Sequence, residues 1–312
     1  MQDKKEVVVI GAGPSALTAA IYLTREDIPT VLYEKGAVGG MAAITDQIDN
    51  YPGFSEGVTG MKLSDELQKQ AEKFGANIQY GEASGLRRVG EDIEVIVDGK
   101  PILAKSVLIA TGSNHRMLNV PGEAELYGRG VHYCATCDGA FYRDKRLVVV
   151  GGGNSAVQEA IFLTRYASHI DMLVRSKLRA SDVLQKELQK NIDAGKITLH
   201  IGASTDEVMI KDDKFAGVKS TKDGAQTVIE GDGLFVFIGL IPNTGFLEES
   251  EVELDLGGHI VADKNLRTTI PGVFVSGDVR SGATMQIASA VGEGAEVALM
   301  IREYLEEKAR EE

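Results

Sequence analysis

The feature that most restricts the folds open to this chain is a long-range internal repeat. Residues 6–36, EVVVIGAGPSALTAAIYLTREDIPTVLYEKG, and residues 146–176, RLVVVGGGNSAVQEAIFLTRYASHIDMLVRS, share one design. Each runs from an apolar strand through a glycine cluster and an amphipathic helix to a second apolar strand that ends at a charge. Gly11-x-Gly13-x-x-Ala16 in the first matches Gly151-x-Gly153-x-x-Ala156 in the second. The first glycine of such a cluster allows a tight turn, and the second lets backbone approach a pyrophosphate. The third, small residue lets helix pack on strand, and the helix N-terminus presents free N–H groups to the anion. Each copy follows a strand, opens a helix and meets a charge about twenty residues on. The repeat predicts an α/β chain with two Rossmann-like dinucleotide-binding folds.

The terminal charges separate the two expected ligands. Glu34 can accept hydrogen bonds from a ribose with a free 2′-OH and would repel a 2′-phosphate, which suits FAD or NAD. Arg175, with Lys177 and Arg179 behind it in VRSKLRAS, would favour a 2′-phosphate through charge-assisted bonds, or is simply a solvated basic loop. Two further segments fit the scheme. KSVLIATGSN, residues 105–114, reads as a strand running into a Thr-Gly turn. Residues 271–305 read as a strand, a Gly-Asp turn and a long helix from about Gln286. Asp278 at that turn is placed either to bind a sugar hydroxyl or to cap the turn, and the helix could direct its positive end at an electron-rich ring.

A length of 312 residues favours two domains over one core. Net charge is −13 with no basic block, which argues against a nucleic-acid partner. No run of about eighteen apolar residues occurs, and MQDKKEVVVIGAG lacks the pattern of a secretory leader, so a soluble, cytoplasmic protein with no membrane segment is expected.

Both cysteines of the chain fall in VHYCATCDGAFY, residues 131–142. A Cys-x-x-Cys pair can bind metal, staple a fold or cycle between dithiol and disulfide. A structural zinc site needs about four ligands, and His115, His132, His169, His200 and His259 form no His-x₃₋₅-His pair, so no metal is expected. A structural disulfide over so short a loop would restrict the unfolded chain little. Redox cycling remains, favoured by the lowered thiol pKa of such pairs. Asp138 can manage the thiol's proton or can simply form an Asp-Gly turn. His132 reads as a strand residue.

These motifs carry a family resemblance that runs essentially end to end. GAGPSA, Gly39-Gly40, IDNYPGF, ATG, CATCDG, GGGNSA, GLIPNTGF and PGVFVSGDVRSGATMQIASA follow the order and spacing of the low-molecular-weight thioredoxin reductases, which the chain resembles. The resemblance implies an FAD domain made from both ends, residues 1–118 and 244–312. An inserted NAD(P) domain, residues 119–243, would carry the cysteines. It implies a homodimer that moves electrons from NADPH, with NADH as the other nucleotide, through FAD to Cys134–Cys137 and on to thioredoxin or a similar small protein. Gly11, Gly13, Pro14, Ser15 and Ala16 would surround the FAD pyrophosphate, with Glu34 on its ribose and Lys35 beside it. Gly40, Met41 and Asn50 would line the flavin, with Met41 where the family usually has Gln. Thr111 and Gly112 belong to the same site, and Gly277, Asp278, Gln286 and Ile287 would hold the ribityl chain and ring.

In the inserted domain Gly151, Gly153, Asn154, Ser155 and Ala156 match the nicotinamide-nucleotide loop. The family commonly reads His-Arg-Arg and a further Arg where this chain has LVRSKLRA, so Arg175 and Arg179 are the remaining clamp candidates. That departure keeps open a donor other than a nicotinamide: ferredoxin, a deazaflavin or a second flavin. Cys137 would face the flavin and Cys134 would attack the partner's disulfide. A rotation of the inserted domain, hinged near NVPGEAE (119–125) and GLIPNTGF (239–246), would bring nicotinamide and cysteines in turn to one flavin. From another class, a flavin-binding sensor without turnover would have no need of two thiols at this spacing.

Overall fold

The computed structural model describes residues 4–45 and 48–311. The chain opens with β1 (Lys5–Ile10), α1 (Pro14–Arg25), β2 (Thr30–Glu34), α2 (Gly40–Ala43), α3 (Gly60–Lys73) and β3 (Asn77–Tyr80). A meander follows, β4 (Ala83–Val89), β5 (Asp92–Val97) and the long β6 (Lys100–Ile109), and then short β7 (Ser113–His115). The next stretch holds β8 (Val131–His132), α4 (Ala135–Asp138), β9 (Arg146–Val150), α5 (Asn154–Leu163), β10 (His169–Val174), α6 (Asp182–Asp193) and β11 (Ile197–Ile201). After it come β12 (Glu207–Lys211), β13 (Lys214–Lys222), β14 (Ala225–Glu230) and β15 (Gly233–Val236). The chain closes with β16 (Leu240–Pro242), β17 (Val273–Val275) and α7 (Ile287–Glu311).

Two compact units result: residues 1–114 with 241–312, and residues 115–240. The second interrupts the first, so the fold is α/β with one Rossmann-like domain inserted into another. The chain crosses between units a few residues from the sequence-based boundaries at 118/119 and 243/244. Met117 and Leu118 pack into the inserted unit's core. On the return, Asn243 is tied back to the first unit through Thr111 and Gly112. The first hinge expected from sequence, 119–125, lies inside the inserted unit. Glu123 is buried there and accepts the N–H groups of Leu118 and Asn119 at 2.8 and 2.7 Å and the Tyr133 hydroxyl at 2.8 Å. The second expected segment does contain a crossing, at 240/241.

In the first unit, strands β3, β2, β1, β6 and β17 run parallel, and β4 and β5 extend the other half of β6 in antiparallel pairing. Lys5–Ile10, KEVVVI, is a β-branched run buried on both faces, as a central parallel strand must be. Alternation sends Val7 and Val9 into one core and Val8 and Ile10 into another. Helices α1, α3 and α7 cover the first face; the meander and residues from the 247–279 region cover the second.

The inserted unit repeats this plan in its own chain segment. Its parallel sheet runs β11-β10-β9-β15-β8, with the antiparallel sheet β12-β13-β14 beside it. Leu147 and Val149 face α5 and α6, while Val148 and Val150 face the antiparallel sheet. The same strand thus serves two cores in each unit, which is why the repeated sequence gives a repeated fold.

Candidate functional site

The first glycine cluster sits between β1 and α1. Gly11 has φ +104°, and a Cβ there would lie 2.5 Å from the Ala110 carbonyl oxygen, so only glycine lets the turn lie against the end of β6. Gly13 caps α1, Pro14 is its first residue, and a Cβ on Gly13 would meet nothing within 4 Å. The open space thus faces the first-turn N–H groups that no helix satisfies internally. Gly40 lies alongside, since its Cβ position is 3.8 Å from Gly13 Cα, and Gly39 N–H donates to Ala12 at 2.8 Å. Ala16 is fully buried and serves helix packing. The Ser15 side chain is also buried and meets Ser276 Oγ at 2.6 Å, which leaves its backbone to face an anion.

Glu34 stands at the tip of β2. Its two oxygens accept the Ala12 and Gly36 N–H groups at 2.8 and 2.7 Å, which fixes the carboxylate beside the glycine turn with lone pairs to spare. Lys35 is turned to Glu82 at 3.5 Å, an exposed pair worth about 0–1 kcal/mol.

Residues far apart in sequence converge in the same unit. Asn50 donates to Gln286 Oε1 at 3.1 Å, and Ile287, the first residue of α7, packs on Ile48, Val58 and Leu63. The Met41 carbonyl accepts the Thr45 hydroxyl. Thr111 and Gly112 are held by Asn243, which accepts from the Thr111 hydroxyl at 2.8 Å and donates to both carbonyls. Gly277 has φ +74° and its Cβ position lies 3.2 Å from Ser15 Cβ, so the Gly-Asp turn abuts the start of α1. Burial raises the pKa of Asp278, Glu293 raises it further, and His259 opposes the rise.

The sequence reading missed Glu293 and Gly294 on α7. Glu293 accepts from Gly277 N–H at 2.8 Å and pairs with Arg280, which ties the turn to the helix. A Cβ on Gly294 would lie 2.3 Å from the Ser15 carbonyl, so α7 approaches α1 backbone to backbone. Two glycines, Gly292 and Gly294, inside a helical pattern were the available signal.

The second cluster repeats the first inside the inserted unit. Gly151 has φ +144° with its Cβ position 2.3 Å from the Phe237 carbonyl and 2.7 Å from Ala156 Cβ. Gly153 caps α5 and again has nothing within 4 Å. Asn154 and Ser155 are exposed, and Ala156 is buried. The basic loop folds over this turn. Arg179 N–H donates to the Gly152 carbonyl at 2.6 Å, and Ser181 N–H donates to Asn154 Oδ1 at 2.8 Å. Arg175 and Arg179 both stay exposed beside the cradle.

Cys134 and Cys137 form a disulfide. Cys134 caps α4, and Cys137 N–H donates to its sulfur at 3.1 Å, a contact that favours a thiolate there. Both residues are half-buried. Asp138 follows on α4, with its N–H on the Cys134 carbonyl and its carboxylate facing His132 Nδ1 at 3.3 Å. His132 is a strand residue, as expected, but it is buried, and its Nε2 lies 2.7 Å from the Tyr142 hydroxyl. That contact was not legible, because it crosses from β8 to the turn after α4. Burial pushes the Tyr142 hydroxyl up to about 12, with Asp138 and Asp232 adding to the rise. His115, stacked on Tyr133, has its pKa lowered by burial against the opposing charge of Asp138. No group of three or more His, Cys, Asp or Glu that could hold a metal occurs among the described residues.

Two open glycine cradles, one with a carboxylate at its strand tip and one with arginines, fit two dinucleotides of different charge. The sequence model of the pyridine nucleotide-disulphide oxidoreductase family matches residues 5–294. Curated thioredoxin reductases from Listeria monocytogenes and Bacillus subtilis are 40% and 38% identical, over 97% and 98% of this chain and 94% and 97% of their own. The solved thioredoxin reductase of Streptococcus pyogenes is 37% identical, with a TM-score of 0.91 over 98% of this chain and 100% of its own. The chain therefore belongs to the pyridine nucleotide-disulphide oxidoreductase family.

Proposed function

We propose that this chain is a thioredoxin-disulfide reductase: an FAD-dependent enzyme that uses NADPH to reduce Cys134–Cys137, and with it the disulfide of thioredoxin or a similar small protein. The observation that carries the proposal is that disulfide, capping α4 in the unit that also holds the second glycine cradle. Bound FAD supplies a two-electron relay between the pyridine nucleotide and the disulfide.

The protein's own residues do the rest. The cradle of Gly11, Gly13 and Pro14 receives the FAD pyrophosphate, and Glu34 orients the ribose. Gly40, Met41 and Asn50, with Thr111, Gly112, Gly277, Asp278, Gln286 and Ile287, complete that site. The turn of Gly151, Gly153, Asn154 and Ser155 receives the nucleotide pyrophosphate, and Arg175 and Arg179 bind its 2′-phosphate. Cys134, whose sulfur accepts the Cys137 N–H, is the nucleophile toward thioredoxin. Its attack forms a mixed disulfide and releases one thioredoxin thiol. Cys137 then attacks Cys134, re-forming the internal disulfide and releasing the second thiol. Asp138 holds the proton exchanged with the pair. A homodimer in the cytoplasm belongs to the same proposal, supported by the resemblance and by the reducing setting that a cycling dithiol requires. Among the described residues no helix is long and apolar enough to cross a membrane. The family's pyridine-nucleotide chemistry leaves the ferredoxin, deazaflavin and second-flavin readings without support.

Anaerobic titration of the FAD-loaded protein with NADPH is the test, following thiols and added oxidised thioredoxin together. Two new thiols per chain and reduced thioredoxin are expected, and Cys134→Ser should lose thioredoxin reduction while the flavin still bleaches. Bleaching without new thiols in the unaltered protein would overturn the assignment.

A further inference from the structure

His132 is a buried imidazole two residues from the redox pair that the scheme above leaves unused. Three elements enclose it. Asp138 on α4 faces Nδ1 at 3.3 Å, and the Tyr142 hydroxyl meets Nε2 at 2.7 Å. Phe235 on β15 stacks on the ring with centroids 5.2 Å apart. The imidazole is thus fixed at both nitrogens and on one face, with its polar edge aimed at the residue that follows Cys137. Burial makes each polar contact consequential, because an unpaired imidazole or carboxylate there is costly. The other titratable groups lie one contact further out. His115 and Tyr127 feel Asp138, and Asp232 feels Tyr142.

We propose that His132 is a positioning residue for the dithiol–disulfide step, holding the Asp138 carboxylate in place and supplying the proton that Asp138 passes to the cysteine pair. The proposal rests on the reductase reading. Reduction delivers two electrons from the pyridine nucleotide, breaks the Sγ–Sγ bond and leaves two sulfur anions. One proton leaves Nδ1 of protonated His132, is taken up at Asp138 Oδ2 and passes to one sulfur. The pair ends as one thiol and one thiolate. The ring ends neutral with its proton on Nε2, donated to Tyr142 Oη, and solvent later restores the Nδ1 proton. The Tyr142 hydroxyl oxygen accepts the Nε2 proton before and after the transfer, so it holds the ring in both states. A protonated ring beside Asp138 also cancels the carboxylate's charge near the sulfurs, which favours the thiolate.

The test uses the full-length, FAD-loaded protein reduced with dithiothreitol, and reads the pH midpoint of iodoacetamide alkylation of the cysteines. His132→Phe keeps the ring against Phe235 and removes both nitrogens. It should raise the midpoint by about one pH unit, a tenfold loss of thiolate at fixed pH. In an Asp138→Asn background the same substitution should leave the midpoint unmoved, because the carboxylate charge that the ring offsets near the sulfurs has been removed. Tyr142→Phe, which keeps its ring in a slot where a Cβ on Gly233 would lie 2.4 Å away, should shift the midpoint in the same direction by less. A midpoint that ignores both His132→Phe and Tyr142→Phe would overturn the proposal, as would a His132 effect of equal size with and without Asp138. Thioredoxin reduction by the unaltered protein is measured separately. Its failure would sink the reductase reading and leave the alkylation coupling standing.

Discussion

Gly151 and Gly153 lie two residues apart, yet a methyl group would act on them in opposite ways. At Gly151 the backbone is at φ +144° and a Cβ would press into the Phe237 carbonyl, so Gly151→Ala should destabilise the inserted unit by about 3 kcal/mol. Gly153 is extended and faces open space, so Gly153→Ala should leave the thermal midpoint unchanged while raising KM for NADPH at least about tenfold, by filling the place of the pyrophosphate. Denaturant titration and initial-rate kinetics separate the two. Asp278 gives a prediction about pH. Burial and Glu293 raise its pKa above the ordinary 3.8. A raised carboxylate pKa means that the folded state holds the proton more tightly than the unfolded chain. Its contribution to stability is therefore fully present below about 3.8 and is lost as pH rises through the folded-state value. Asp278→Asn should make the FAD-free protein more stable at neutral pH, with the gain vanishing toward acid, and should weaken FAD binding. An Asn variant with no pH-dependent difference in urea midpoint would remove the assigned burial cost.

Among the elements, the loop from β10 to α6 carries the two arginines proposed to read the 2′-phosphate. Arg179 N–H and Ser181 N–H pin it to Gly152 and Asn154, so its two arginines are carried by backbone contacts and not by chance proximity. Changing Arg175 and Arg179 together to Ala should lower kcat/KM for NADPH about ten- to a hundredfold, the worth of charge-assisted bonds to a phosphate, and leave NADH little changed. An equal loss with both nucleotides would mean that the arginines support the loop without reading the phosphate. The repeat made these elements legible in the sequence, because strand, glycine turn and helix are local patterns whose period the residues display. The strand-tip charge Glu34 was legible for the same reason. Contacts that join distant segments were not. Glu293 reaches the Gly277 turn from α7, Gly294 lets α7 touch α1, and His132 meets Tyr142 across a turn. No local pattern encodes such pairs, since each depends on how elements already formed come together. The chain crosses into the inserted unit a few residues before the segment whose composition suggested a linker. NVPGEAE has linker composition, but Glu123 is the buried acceptor that locks it into the inserted unit.

On the scale of the whole molecule, chain order and division of labour are linked. The inserted unit is one continuous segment, residues 115–240, with its own parallel sheet and two cores on the sheet's faces. The proposed flavin cradle, by contrast, draws on both ends of the chain, where Ser15 meets Ser276, Asn50 meets Gln286 and Thr111 meets Asn243. A continuous segment that buries its own cores should fold without the rest. Expressed alone, residues 115–240 should therefore unfold cooperatively, gain thermal stability from NADP⁺ by mass action, and bind no FAD. Its Cys134–Cys137 disulfide should resist NADPH, since the flavin needed to relay the electrons is held by residues the segment lacks, yet should still open to dithiothreitol. Reduction of that disulfide by NADPH in the isolated segment would overturn the proposed electron path. Loss of NADP⁺ stabilisation in a folded segment would instead show that the second cradle is completed from outside it.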